Sequence, residues 1–232
     1  MGRNTSVVRD NGHYADGAGE RRTRQIATTP VPLRPERRLG RGVPEGDPTH
    51  WHSRSGVRAD RMACSGMRTA LDAPHDALDA QEQSFIANMR EHGWFDTAVL
   101  GDDEGPSFSY SSGFWVNTGS PEIIMFGMKR EIIHNLFWDI YRDVTAGRCL
   151  PDGGRTDQVF ANLPACIFPV AKRYYRDYLG WNRWFYGGDD FPCLHIVWPD
   201  RAGIFPWESS FDEEFRDDQP DLTEHGWLAA LA

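Results

Sequence analysis

Cysteine is scarce in this chain, with only Cys64, Cys149, Cys166 and Cys193 among 232 residues and no two of them close together. That spacing supplies neither a paired-thiol zinc box nor a disulfide framework. Long apolar runs are also missing, as are a signal peptide and a lipidation motif, so the expected setting is a reducing cytoplasm with free thiols and no membrane partner. No glycine-rich phosphate loop or dinucleotide fingerprint is present. The histidines are dispersed, without paired ligands on one helix face, so no metal is expected and no cofactor can be named. Ser112-Gly113 does not form the strand-to-helix elbow of a nucleophilic serine, which leaves hydrolase chemistry without support.

Lysine is absent from the first 61 residues, which carry 12 Arg against 7 acids, a net of +5, with Gly and Pro scattered through them. Residues 62–232 carry a net of -14 and eight of the nine Trp. The composition therefore divides the chain into an Arg/Gly/Pro-rich extension, 1–61, and one domain, 62–232. The extension has too little apolar content to offset the entropy of ordering and is expected to be disordered. Met62 and Met67 stand at the change of composition, so a start assigned too far upstream is a further reading, and an Arg arm for nucleic acid is another. For the domain, the acidic runs Asp102-Asp103-Glu104 and Asp212-Glu213-Glu214 exclude a nucleic-acid groove, which needs clustered Lys and Arg. They suit either a self-repelling surface or an acidic face for a protein partner.

Within the domain, Leu78, Phe85, Ile86 and Met89 make a helical stripe over 76–91, with Gly93 as its left-handed cap. Residues 94–100 and 108–115 read as paired strands across the turn Gly101-Asp102-Asp103-Glu104-Gly105-Pro106. Residues 122–127 read as a buried strand, and 130–146 as a helix with Ile132, Ile133, Leu136, Phe137, Ile140, Tyr141 and Val144 on its apolar face. Residues 148–156 read as a loop. Pro164 and Pro169 make 159–170 an edge strand or irregular cover. Residues 173–186 form an aromatic helix interrupted at Gly180. The stretch 191–207, FPCLHIVWPDRAGIFPW, reads as a β-hairpin, and 211–222 as an extended wrap. The fold expected is a single α+β domain: a mainly antiparallel sheet of about five or six strands with two or three helices packed on one face.

Several of these segments, taken in order, resemble a known bacterial family. They are HGWF at 92–95, SFSYSSGFW at 107–115, PEIIMFG at 121–127, FYGGDDFP at 185–192, the VWPDRAGIFPW run and Gln219-Pro220. Together they are similar to the family of domain of unknown function 4262 (DUF4262), over about residues 62–222. The resemblance implies no activity. Cys64 is followed by Met67 where family members carry a second Cys, and His195 stands where Gln is expected.

Candidate chemistry is sparse. His92, at a helix-to-strand junction, suits either a helix-dipole contact or a general base. Asp200 in the Trp-Pro-Asp turn suits either amide capping or a general acid. Asp189-Asp190 reads as turn chemistry or a carboxylate pair, His195 as a core histidine, and His134 as lying on the polar side of its helix. Two functions stay open. One is a non-enzymatic binding or interaction module with an acidic, aromatic-rich surface. The other is a small enzyme or small-molecule-binding domain with a pocket at the sheet end built from His92, Trp94, Tyr110, Ser112, Trp198 and Asp200.

Overall fold

The computed structural model describes residues 68–103, 105–151 and 153–232, together with the strand Ile26–Ala27. The expected disorder of 1–61 and the composition boundary at Met62, Cys64 and Met67 otherwise lie outside the described residues. Helix α1, Ala80–His92, starts at a capping box in which Asp79 accepts from Gln81 and Glu82 while the Glu82 carboxylate accepts from the Asp79 amide. It ends at Gly93, φ 78°. Any other residue there is strained by the positive φ and would place its Cβ on the Tyr141 hydroxyl.

The sheet contains β1 (Ile26–Ala27), β2 (Phe95–Val99), β3 (Phe108–Ser112), β4 (Glu122–Phe126), β5 (Gly154–Thr156), β6 (Ala165–Pro169) and β7 (Cys193–Val197). Their order is β1-β2-β3-β4-β7-β6-β5, antiparallel throughout except for the parallel β4–β7 pair. The α+β class and mainly antiparallel sheet are as expected. Between them run α2 (Phe114–Thr118), α3 (Arg130–Thr145), α4 (Tyr175–Tyr178) and α5 (Gly180–Tyr186), and α6 (Trp227–Ala230) follows β7. No helix among the described residues is long and apolar enough to cross a membrane.

Helices cover both faces of the sheet and not one. Phe85, Ile86 and Met89 of α1 share a core with Tyr175, Leu179 and Phe185 over Phe108, Tyr110, Ile124 and Phe126. On the opposite face Ile133, Phe137, Ile140 and Val144 of α3 pack on Ile123, Met125, Ile167, Leu194 and Ile196. All five residues of β4 and of β7 are therefore buried, and continuous apolar strands of this kind need cover on both sides. Ile132, expected on the apolar face of α3, is half exposed.

Other expectations change for local reasons. β3 stops at Ser112 because Gly113, φ 103°, turns the chain into α2. The expected 191–207 hairpin does not form: β7 already has β4 on one edge and β6 on the other, so no edge is left for a return strand. Phe205 instead packs with Phe168 and Val197 in a third small core edged by Trp207 and Trp227. β6 is an interior strand, since Pro164 precedes it and Pro169 only closes it, leaving its ladder to β5 and β7 intact. β5 lies in what reads as a loop. The aromatic helix breaks at Leu179, one residue before Gly180. Residues 213–218 form a 3-10 helix where an extended wrap was expected.

Candidate functional site

Strand register disperses the six predicted pocket residues. Phe95 lies opposite Ser112, and Glu122 beside Cys193, so the starts of β2, β4 and β7 share one end of the sheet with His92 and Trp94. Trp198 follows the far end of β7 and donates its indole N–H to the Phe126 carbonyl at 2.8 Å. His92 and Asp200 therefore sit at opposite ends, and the pocket expected between them does not form. Tyr110 and Ser112 lie on the α5 face, where the Trp181 amide donates to the Tyr110 hydroxyl at 3.3 Å and Ser112 bonds Asn182. Trp94 lies on the α3 face.

Asp200 is a turn residue. Its carboxylate accepts from the amides of Ala202 (2.8 Å), Ile204 (3.0 Å) and Asp212 (3.1 Å). Those donors, the Ile204 amide first, hold it below the ordinary carboxylate range. Asp189 is likewise engaged in its loop, its side chain by Arg183 and its carbonyl by the Lys172 ammonium at 2.6 Å. The thiols of Cys166 and Cys193 are buried; desolvation pushes the first up to about 11 and the second well above the ordinary range, so neither is a ready nucleophile.

Two clusters built around carboxylates were not read from the sequence. Glu122 opens β4 fully buried, and Oε1 accepts from the amides of Gly113 (2.8 Å) and Trp115 (3.1 Å) and from the Tyr186 hydroxyl, while Oε2 accepts from Ser111 at 2.5 Å. Burial raises its carboxyl although all four donors pull the other way. Both oxygens are used, so this is a joint between β3, α2 and α5. An acid beginning the otherwise apolar run EIIMF was the signal for it.

The second cluster lies where α3 crosses β2. Asp96 Oδ2 meets His134 Nδ1 at 3.1 Å, with the Asp96 side chain 4% exposed and that of His134 14%. The Trp94 ring is 5.7 Å from the imidazole and 28° from parallel to it. Trp138 stands edge-on to Trp94 at 5.2 Å, and His92 lies 6.4 Å beyond Trp138. This corner brings together His92 and Trp94, two of the predicted six, with residues that sequence spacing does not link. His195, read as a core histidine, is fully buried against Phe126, with neither ring nitrogen bonded among the described residues. Desolvation pushes its imidazole down to about 3.

A groove of about 490 Å³ runs along the C-terminal segment between Trp207 and Trp227, edged by Pro206, Arg216, Asp221 and His225. Trp207 stacks on Phe205 at 4.8 Å and meets Trp227 at 5.4 Å. Among the described residues no group of three or more His, Cys, Asp or Glu could hold a metal ion.

Neither a curated protein nor a solved structure matches this chain. A family described as Domain of unknown function (DUF4262) matches residues 88–212, from the last turns of α1 through the segment after β7. That span holds the sheet from β2 to β7, the Glu122 joint and the Asp96–His134 corner. The chain therefore belongs to the DUF4262 family.

Proposed function

We propose that this domain is a binding module that engages a protein partner through the Trp207–Trp227 groove. The observation that carries the reading is the pair of half-buried indoles of Trp207 and Trp227, which meet at 5.4 Å and line the groove. A partner that lays an apolar side chain across the two indoles would bury the surface they leave exposed. Leu228, 66% exposed, and Leu231, 40% exposed, extend the apolar surface beside the groove. The net charge of -14 over residues 62–232 disfavours a nucleic acid as that partner.

The test is parallel affinity capture with the full chain and Trp227→Ala, followed by native mass spectrometry. A protein retained by the parent and lost from the variant supports the reading. Equal retention by both places the interface elsewhere, and a retained small molecule with no protein partner overturns it.

A further inference from the structure

We infer that the corner between α3 and β2 is a second, separate site, which binds a flat ring bearing a hydroxyl group, with His134 Nε2 as the hydrogen-bond acceptor and Asp96 as its positioning residue. The geometry begins with Asp96. An ionised carboxylate can only accept, so the 3.1 Å contact assigns the ring proton of the neutral imidazole to Nδ1. Nε2 is then the bare acceptor. It has no hydrogen bond among the described residues, and it is not among the buried unpartnered atoms. The imidazole is thus held from behind and open in front, as a carboxylate holds the outer nitrogen of a ligating histidine.

The contrast with Glu122 separates a site from a joint. Around Glu122 every carboxylate oxygen has a donor. Around His134 two buried atoms do not: Asp96 Oδ1 and Trp94 Nε1 lack a partner among the described residues. Native interiors leave few such groups, and each calls for an explanation. Trp138, edge-on to Trp94, and His92 next to Trp138 are both partly exposed. An open acceptor next to the Trp94 ring, with Trp138 edge-on to that ring, fits a flat ring with one O–H to donate. Among the described residues no group of three or more His, Cys, Asp or Glu gathers here for a cation.

The test uses the full chain labelled at histidine, with 4-fluorophenol as the probe. Long-range proton–nitrogen correlation spectra should show Nδ1 protonated and Nε2 bare, and Asp96→Asn should shift the ring toward the other tautomer. A parent protein with the proton on Nε2, or a tautomer unmoved in Asp96→Asn, overturns the positioning role. The fluorine resonance of 4-fluorophenol should broaden and shift with the parent protein, and this should fall at least tenfold in affinity with His134→Gln. Equal binding by parent and His134→Gln, or no binding by a parent with the expected tautomer, overturns the ligand class. If His134→Gln does not fold, fluorobenzene replaces it as the control: it lacks the hydroxyl, and binding as tight as that of 4-fluorophenol overturns the acceptor role.

Discussion

Gln219 pairs with the main chain of Trp198 as though it were a strand residue. The Trp198 amide donates to Gln219 Oε1 at 2.9 Å, and Gln219 Nε2 donates to the Trp198 carbonyl at 2.9 Å. One buried side chain thus extends the ladder past the end of β7 and ties the C-terminal segment to it. Gln219→Ala strands both backbone groups and should cost about 2–4 kcal/mol, at 1–3 for each unsatisfied group with some recovered by water. Urea unfolding checks this. A loss below about 0.5 kcal/mol would mean that the segment re-forms its contacts without the amide.

Glu122→Gln keeps the shape of the joint and changes its polarity. The fixed amides of Gly113 and Trp115 keep an oxygen at the Oε1 position, so the NH₂ falls against Ser111, and all four bonds lose the help of the carboxylate's charge. The expected loss is about 2–4 kcal/mol in chemical denaturation. Tyr186→Phe removes one donor from a carboxylate that keeps three others, and should cost less, about 1–2 kcal/mol. The reverse order would show that the Tyr186 hydroxyl, and not the carboxylate, holds α5 to β3.

Which parts of this molecule were legible in its sequence follows from the range of the interactions. Gly93 and the apolar spacing of Phe85, Ile86 and Met89 act within one helix, so α1 could be read directly except for its start, which the Asp79 cap sets at Ala80, beyond Leu78. The 191–207 hairpin could not be judged this way, because a return strand depends on whether β7 has a free edge. That is decided by β4, some seventy residues earlier in the chain. The same holds for the sites. His92 and Asp200 are each plausible alone, and only register shows them at opposite ends of the sheet. Asp96 and His134 meet across 38 residues, a contact no local spacing encodes. Glu122 was the exception: a lone acid at the head of a buried strand is visible without any partner.

Trp198 closes the core on the α3 face. It is 7% exposed, packs edge-on to Phe215 at 5.7 Å, and donates to the Phe126 carbonyl. Trp198→Ala should cost about 3–5 kcal/mol, the range for emptying a large aromatic site that cannot collapse. Trp198→Phe refills most of that volume but leaves the Phe126 carbonyl unpaired, so it should fall between the two. A thermal melt of the alanine variant unchanged from the parent would place this residue outside the core.

His195 makes the acid stability of the fold a test of its burial. Its imidazole is pushed down to about 3 by desolvation, against an ordinary value of 6.5, so between these values the unfolded chain holds a proton that the folded chain refuses. Stability therefore rises with pH across that window and is lost as pH falls below about 6.5. By pH 4.5 the two units traversed correspond to about 3 kcal/mol, at about 1.4 kcal/mol per unit. His195→Met fills a similar volume with no titrating group and no unpaired ring nitrogen. It should equal or exceed the parent in stability at pH 7, and lose about 3 kcal/mol less between pH 7 and pH 4.5 by urea unfolding at each pH. Carboxylates titrate in both proteins and cancel in the difference. Parallel pH curves for parent and variant would mean that the folded protein admits a proton to His195, and so that water reaches the face of β7 that Phe126 covers.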